Sequence, residues 1–77
     1  MTLYEIGIYA NDVQDFDWEL RLSHGFKNMK KRAHALAKKN PNCEVLAQPY
    51  DKENDCAYGG IYSVTYKNGN FEVLNYL

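Results

Sequence analysis

Apolar and polar residues alternate at the start of this chain. Tyr4, Ile6, Ile8 and Ala10 fall on one side of an extended backbone, with Leu3, Glu5, Gly7 and Tyr9 on the other, which is the period of a β-strand. Asn11-Asp12-Val13-Gln14-Asp15 is dense in turn-forming side chains and is expected to end that strand. Period two returns in Phe16-Asp17-Trp18-Glu19-Leu20-Arg21-Leu22, where the apolar members share one face and the charges the other. That pattern predicts a second, half-buried strand closing a hairpin with the first, and it assigns Trp18 to the core with Phe16, Leu20 and Leu22.

The spacing then changes to that of a helix. Advancing about 100° per residue from Phe26, the side chains of Met29, Ala33, Leu36 and Ala37 fall within one sector. Ser23 has the chemistry of a helix cap and Gly25 allows a tight approach. Asn40-Pro41 ends the helix, because proline disfavours helical geometry in the residue before it and cannot continue the hydrogen-bond ladder. Cys43 to Gln48 reads as a third strand. The segment from Tyr50 to Gly60 reads as a polar loop, with Asp51, Glu53, Asn54, Asp55 and Gly59-Gly60. Two last strands flank Asn68-Gly69, the dipeptide best suited to a two-residue hairpin turn; that turn sets Tyr66 opposite Phe71 and Val64 opposite Val73 on one apolar face.

One helix and five short strands bury their faces by laying the helix across one side of the sheet. The expected fold is therefore α+β, two-layered, with one helix on a four- to five-stranded, mostly antiparallel sheet in the order ββαβββ. A β-grasp-like arrangement is one topology compatible with it. With 77 residues the chain is expected to be a single domain, and one that buries only about 60 to 65% of the surface its unfolded form exposes. The core is small, with no spare element for an elaborate active site.

No apolar run approaches the roughly 18 residues of a membrane span, and residues 1–6 carry neither the basic start nor the apolar run of a secretory signal. The chain reads as cytoplasmic, with no membrane partner and with Cys43 and Cys56 expected as free thiols. His24, His34, Cys43 and Cys56 lack the short separations of a structural zinc site, so neither metal nor cofactor is expected. Cys43 has no activating neighbour. Cys56 lies among carboxylates that disfavour a thiolate. Gly59-Gly60 is followed by no Lys-Ser/Thr and no helix, which excludes a phosphate loop; those glycines suit a bulge or the start of a strand. The chain is expected not to be an enzyme.

Charge changes the picture more than composition does. Residues 27–39 hold six lysines and arginines and no acid, whereas the rest of the chain has three basic residues against ten acids, within an overall net charge of −1. On the helical wheel Lys27, Lys30, Lys31, His34 and Lys38 form one stripe beside the apolar face, with Arg32 and Lys39 on the opposite flank. Such a stripe can contact nucleic-acid phosphates or an acidic protein patch; lysine-rich helix faces also serve simply as solvated surface whose stems cover core edges. Acids cluster at Asp12, Asp15, Asp17 and Glu19 in the first hairpin and at Asp51, Glu53 and Asp55 in the long loop. These are the candidate residues for binding a partner protein. Among the tyrosines, Tyr62 and Tyr66 share a face with Val64 and belong to the core, while Tyr9, Tyr50, Tyr58 and Tyr76 are the candidates for exposure. The near-neutral balance favours a protein partner over nucleic acid. Homo-oligomers through an open strand edge are a further possibility.

From Tyr4 through Phe16, in Tyr-Glu-Ile-Gly-Ile-Tyr-Ala-Asn-Asp-Val-Gln-Asp-Phe, and on through Trp18-Glu19-Leu20-Arg21-Leu22-Ser23-His24, the chain resembles the prophage double-strand break reduction protein family of enteric cryptic prophages. It also looks like other compact phage accessory proteins, including inhibitors of host polymerases or defence complexes. The resemblance implies a small, non-enzymatic regulatory protein that acts on host DNA replication or maintenance through a host protein. It carries over no site residue.

Overall fold

The computed structural model describes residues 1–10, 13–15 and 22–77, and for Ala10 and Val13–Asp15 the backbone alone. Among them are seven strands and one helix: β1 (Leu3–Ala10), β2 (Val13–Asp15), β3 (Leu22–His24), α1 (Phe26–Lys39), β4 (Glu44–Asp51), β5 (Cys56–Ala57), β6 (Tyr62–Lys67) and β7 (Asn70–Asn75). The fold is α+β, with α1 laid on one face of an antiparallel sheet ordered β2-β1-β4-β6-β7; β3 pairs with β1, and β5 with β4. No parallel pairing of the kind a β-grasp requires occurs among the described strands.

The alternation in β1 carries through the sheet. Tyr4, Ile6 and Ile8 stand opposite Pro49, Ala47 and Val45 of β4, and Val45 and Ala47 stand opposite Val64 and Tyr62 of β6. Side chains at these positions share one face. Onto it α1 presents Met29, Ala33, Leu36 and Ala37, and the result is a single core containing Tyr4, Ile6, Val45, Ala47, Tyr62 and Val64. Alanines at positions 33, 37 and 47, each fully buried, let the helix approach the sheet closely.

Several expectations are corrected. The turn placed at residues 11–15 is shorter, because Val13–Asp15 already pairs with Ile8–Ala10. The strand expected over Phe16–Leu22 lies, except for Leu22, outside the described residues, as does Trp18. Ser23 does not cap the helix: it sits in β3 opposite Tyr4, with its hydroxyl buried and unpartnered among the described residues. Gly25 holds the N-cap position without a side-chain hydrogen bond, and its amide donates to the Thr2 carbonyl at 2.7 Å. The polar loop is in part a hairpin, since β4 runs on to Asp51, which faces Cys56 of β5. Periodicity missed this return because the charged residues of the connecting turn dominate the segment.

Asn68 and Gly69 both have positive φ, 52° and 79°, the geometry of a type I′ turn. The register beyond it is as expected, Tyr66 opposite Phe71 and Val64 opposite Val73. Gly60 has a different reason to be glycine: a Cβ there would overlap the carbonyl oxygen of Tyr76. The chain after β7 therefore crosses directly over Gly60, where the Tyr76 amide donates to Ile61 at 2.8 Å.

That bond sets the hydrogen-bonding phase of β7. In an antiparallel pair, opposed residues alternate between hydrogen-bonded and non-hydrogen-bonded. With 61 and 76 bonded, the bonded pairs are 63/74, 65/72 and 67/70, and Phe71, Val73 and Asn75 turn their N–H and C=O away from β6. Val73→Pro should consequently cost no ladder bond, whereas Leu74→Pro should destabilise by roughly 1–3 kcal/mol more by orphaning the Ser63 carbonyl. Urea denaturation of the two variants checks the phase; equal losses would contradict it.

Candidate functional site

The row Ile8–Val45–Val64–Val73 crosses the sheet under the helix. Val45 and Val64 are fully buried, while Val73 is 42% exposed. The helix thus covers the centre of the sheet and stops short of β7. Phe71 is 41% exposed on the helix side of that strand, and Leu74 is 51% exposed on the other face. The β6–β7 register assigns Phe71 and Val73 to an apolar face, and in the fold that face lacks a lid. Helix width was the available signal: a helix about 10 Å across spans two or three strands spaced about 4.8 Å apart.

A run of rings crosses from β1, past α1 and β6, to β7. Tyr4 meets Phe26 edge-on at 6.4 Å between ring centroids, and Phe26 meets Tyr62 at 5.7 Å. His34 lies 6.1 Å from Tyr62 and 4.7 Å from Phe71, which in turn lies 4.9 Å from Tyr66. The Nε2 atom of His34 and the hydroxyl of Tyr62 form a 2.7 Å hydrogen bond. His34 therefore does not belong to the freely solvated stripe: it is half-buried and ties the helix to β6 and β7. Burial, followed by the charge of Lys30, lowers its pKa below the ordinary value. Burial likewise raises the pKa of Tyr62.

Lys27, Lys30, Lys31 and Lys38 are exposed, as are Arg32 and Lys39 on the other flank. The helix contains no acid, so none of its cations has a carboxylate partner one turn away on the same helix. Lys30 and Lys38 stand four residues before and after His34, on the same row of the helix surface. The structure thus gathers Lys30, His34, Lys38, Phe71 and Val73 along one border.

Of the acidic candidates, Asp51, Glu53 and Asp55 are described with their side chains. Asp12, Asp17 and Glu19 lie outside the described residues, and Asp15 is described only by its backbone pairing with Ile8. Asp51 is occupied within its own turn: its carboxylate accepts from the amides of Glu53 and Asn54, at 3.0 and 3.4 Å, and from the Asn54 side chain at 2.7 Å. The hydrogen bonds from Asn54, and then that from Glu53, outweigh desolvation and hold the Asp51 pKa below the ordinary aspartate value. Asp55 accepts from the Tyr50 hydroxyl, and Glu53 is exposed. Tyr50, expected at the surface, is buried, on β4 at the position paired with Ala57. Tyr58 and Tyr76 are exposed as expected, Tyr9 is half-buried, and Tyr62 is in the core with Tyr66 packed against it.

Among the described residues there is no pocket and no cluster of three potential metal ligands. Cys43 is half-buried and Cys56 exposed, both as free thiols. No helix of the described residues is long and apolar enough to cross a membrane. No protein-family model matches the chain, and neither a curated protein nor a solved structure matches it.

His34 supplies a pH test of this border. Because folding lowers its pKa, the unfolded chain takes up the proton more readily. The stability contributed by the neutral ring is complete above the ordinary value of 6.5 and is lost as pH falls through the lower folded value. Thermal melts of His34→Gln should accordingly lose less stability than the unmodified chain between about pH 7 and pH 5. Parallel pH profiles would show that the ring is not coupled to folding.

Proposed function

We propose that this chain is a cytoplasmic, non-enzymatic regulatory protein of the prophage accessory type, which binds a host protein of DNA replication or maintenance. The resemblance of its N-terminal third supports the class of role. The observation that carries the binding reading is the border itself, where the exposed Phe71 and Val73 of β7 lie beside a helix bearing six cations and no acid. An exposed aromatic and apolar patch rimmed by polar residues marks an interaction site, and charge at its rim steers association.

Two acids of the long loop, Asp51 and Asp55, are engaged in local hydrogen bonds, whereas the helix cations are exposed. The partner surface best matched to this border is therefore acidic. Direct binding of nucleic acid by Lys27, Lys30, Lys31 and Lys38 is the second reading, favoured by the absence of acids from α1.

Replacing Lys27, Lys31 and Lys38 together by glutamate should change folding stability by less than about 1 kcal/mol, since all three are exposed. The same variant should lose capture of a discrete host protein from nuclease-treated enteric bacterial lysate. Capture abolished by nuclease itself, together with salt-dependent binding of a DNA duplex measured by fluorescence anisotropy, would replace the protein reading with the nucleic-acid one.

A further inference from the structure

We propose that β7 is a docking edge for an extended, acidic segment of a partner protein, which adds to the sheet as a further antiparallel strand and lays its carboxylates along Lys30 and Lys38. The inference rests on the protein-binding reading above and specifies how the partner is held.

Phe71, Val73 and Asn75 direct their N–H and C=O groups away from β6, and β7 ends the strand order on that side. Soluble proteins blunt such an edge with proline, lysine, a bulge or a covering element. β7 reads Asn-Phe-Glu-Val-Leu-Asn, with no proline and no lysine; its one charge, Glu72, lies on the face away from α1, and its register to β6 is unbroken from Asn70 to Asn75. Each of its residues is exposed. An edge left in this state is a template for strand addition, in which main-chain bonds supply affinity and alternate side chains supply selection.

Side chains select the chemistry of the occupant. In an added antiparallel strand, a residue opposite Val73 projects to the same face as Val73, towards α1. There it meets Phe71 and Val73, exposed by 41% and 42%, and His34, whose ring touches Phe71. Lys30 and Lys38 flank that histidine on its helix row. The field of Lys30 is felt at His34, which it helps to keep neutral. Acidic side chains at alternate positions complement this strip, and apolar ones between them meet Leu74 on the opposite face. A second copy of this chain fits less well, because pairing two β7 strands about a two-fold axis puts both α1 helices on the same face and turns their cationic flanks towards one another, without an acid on either helix.

The test uses the full chain, isotope-labelled for amide spectra, and a blocked octapeptide of alternating glutamate and valine. The amides of Phe71, Val73 and Asn75 are expected to become protected from exchange on addition of the peptide, with little change at Asn70, Glu72 and Leu74, which are already paired. Methylating the amide nitrogens of the peptide's glutamates should weaken binding at least about tenfold, and methylating those of its valines should not. Val73→Pro should abolish protection while the melting temperature is retained, and Lys30→Glu with Lys38→Glu should weaken binding about tenfold and transfer preference to a lysine–valine peptide.

Failure can be assigned. A peptide that binds equally well when methylated and moves only helix resonances would overturn strand addition and leave the acidic-partner reading standing. Protection of the three amides that rises with protein concentration without peptide would make β7 a self-association edge. Displacement of the peptide by a single-stranded oligothymidylate would overturn both readings. No protection at millimolar peptide would end the proposal.

Discussion

One helix cannot roof this sheet. α1 has 14 residues and is therefore about 21 Å long and about 10 Å across, whereas the path β2-β1-β4-β6-β7 spans about 19 Å between its outer strands. The helix settles where burial is greatest, over the small and branched side chains of Ile6, Val45, Ala47 and Val64, all fully buried. Uncovered ground falls at β7. The exposure of Phe71 and Val73 on the helix side follows from that mismatch of widths, while Leu74 lies on the face that α1 does not cover.

The same placement organises the polar chemistry. With Met29, Ala33, Leu36 and Ala37 turned inward, a period of 3.6 residues sends Lys30, His34 and Lys38 to the flank beside β6 and β7. His34 is near enough to bond Tyr62 and stack on Phe71, while its lysine neighbours reach water. A neutral ring at the seam and charged groups beyond it are what half-burial demands, since desolvation disfavours the imidazolium. The cations concentrate on the covering layer and many of the acids on the sheet and its loops, which gives this small body its electrical polarity.

Local hydrogen bonds engage part of the acidic run in the β4–β5 turn. Aspartate in a tight turn satisfies the amides that follow it, and Asp51 does this for Glu53 and Asn54. Asp55 accepts from the Tyr50 hydroxyl across the same hairpin. A run of acids read along the chain resembles a surface patch. In the fold two of its three members are parts of a turn.

The amino-acid sequence by itself determined the class of fold, because period two in Leu3–Ala10 and period 3.6 in Phe26–Ala37 dictate which faces must be buried. It also determined the β6–β7 register, since Asn68-Gly69 leaves a type I′ turn few alternatives, and the cationic stripe, which is a matter of helical angle. Tertiary structure alone decided the order of the strands, the β4–β5 return hidden by turn residues, the withdrawal of His34 into an aromatic seam, and the bare edge of β7. Those outcomes depend on how far one element reaches across another. Reach is set by the width of the helix and the packing of Ala33, Ala37 and Ala47 beneath it, distances that no one-dimensional period encodes.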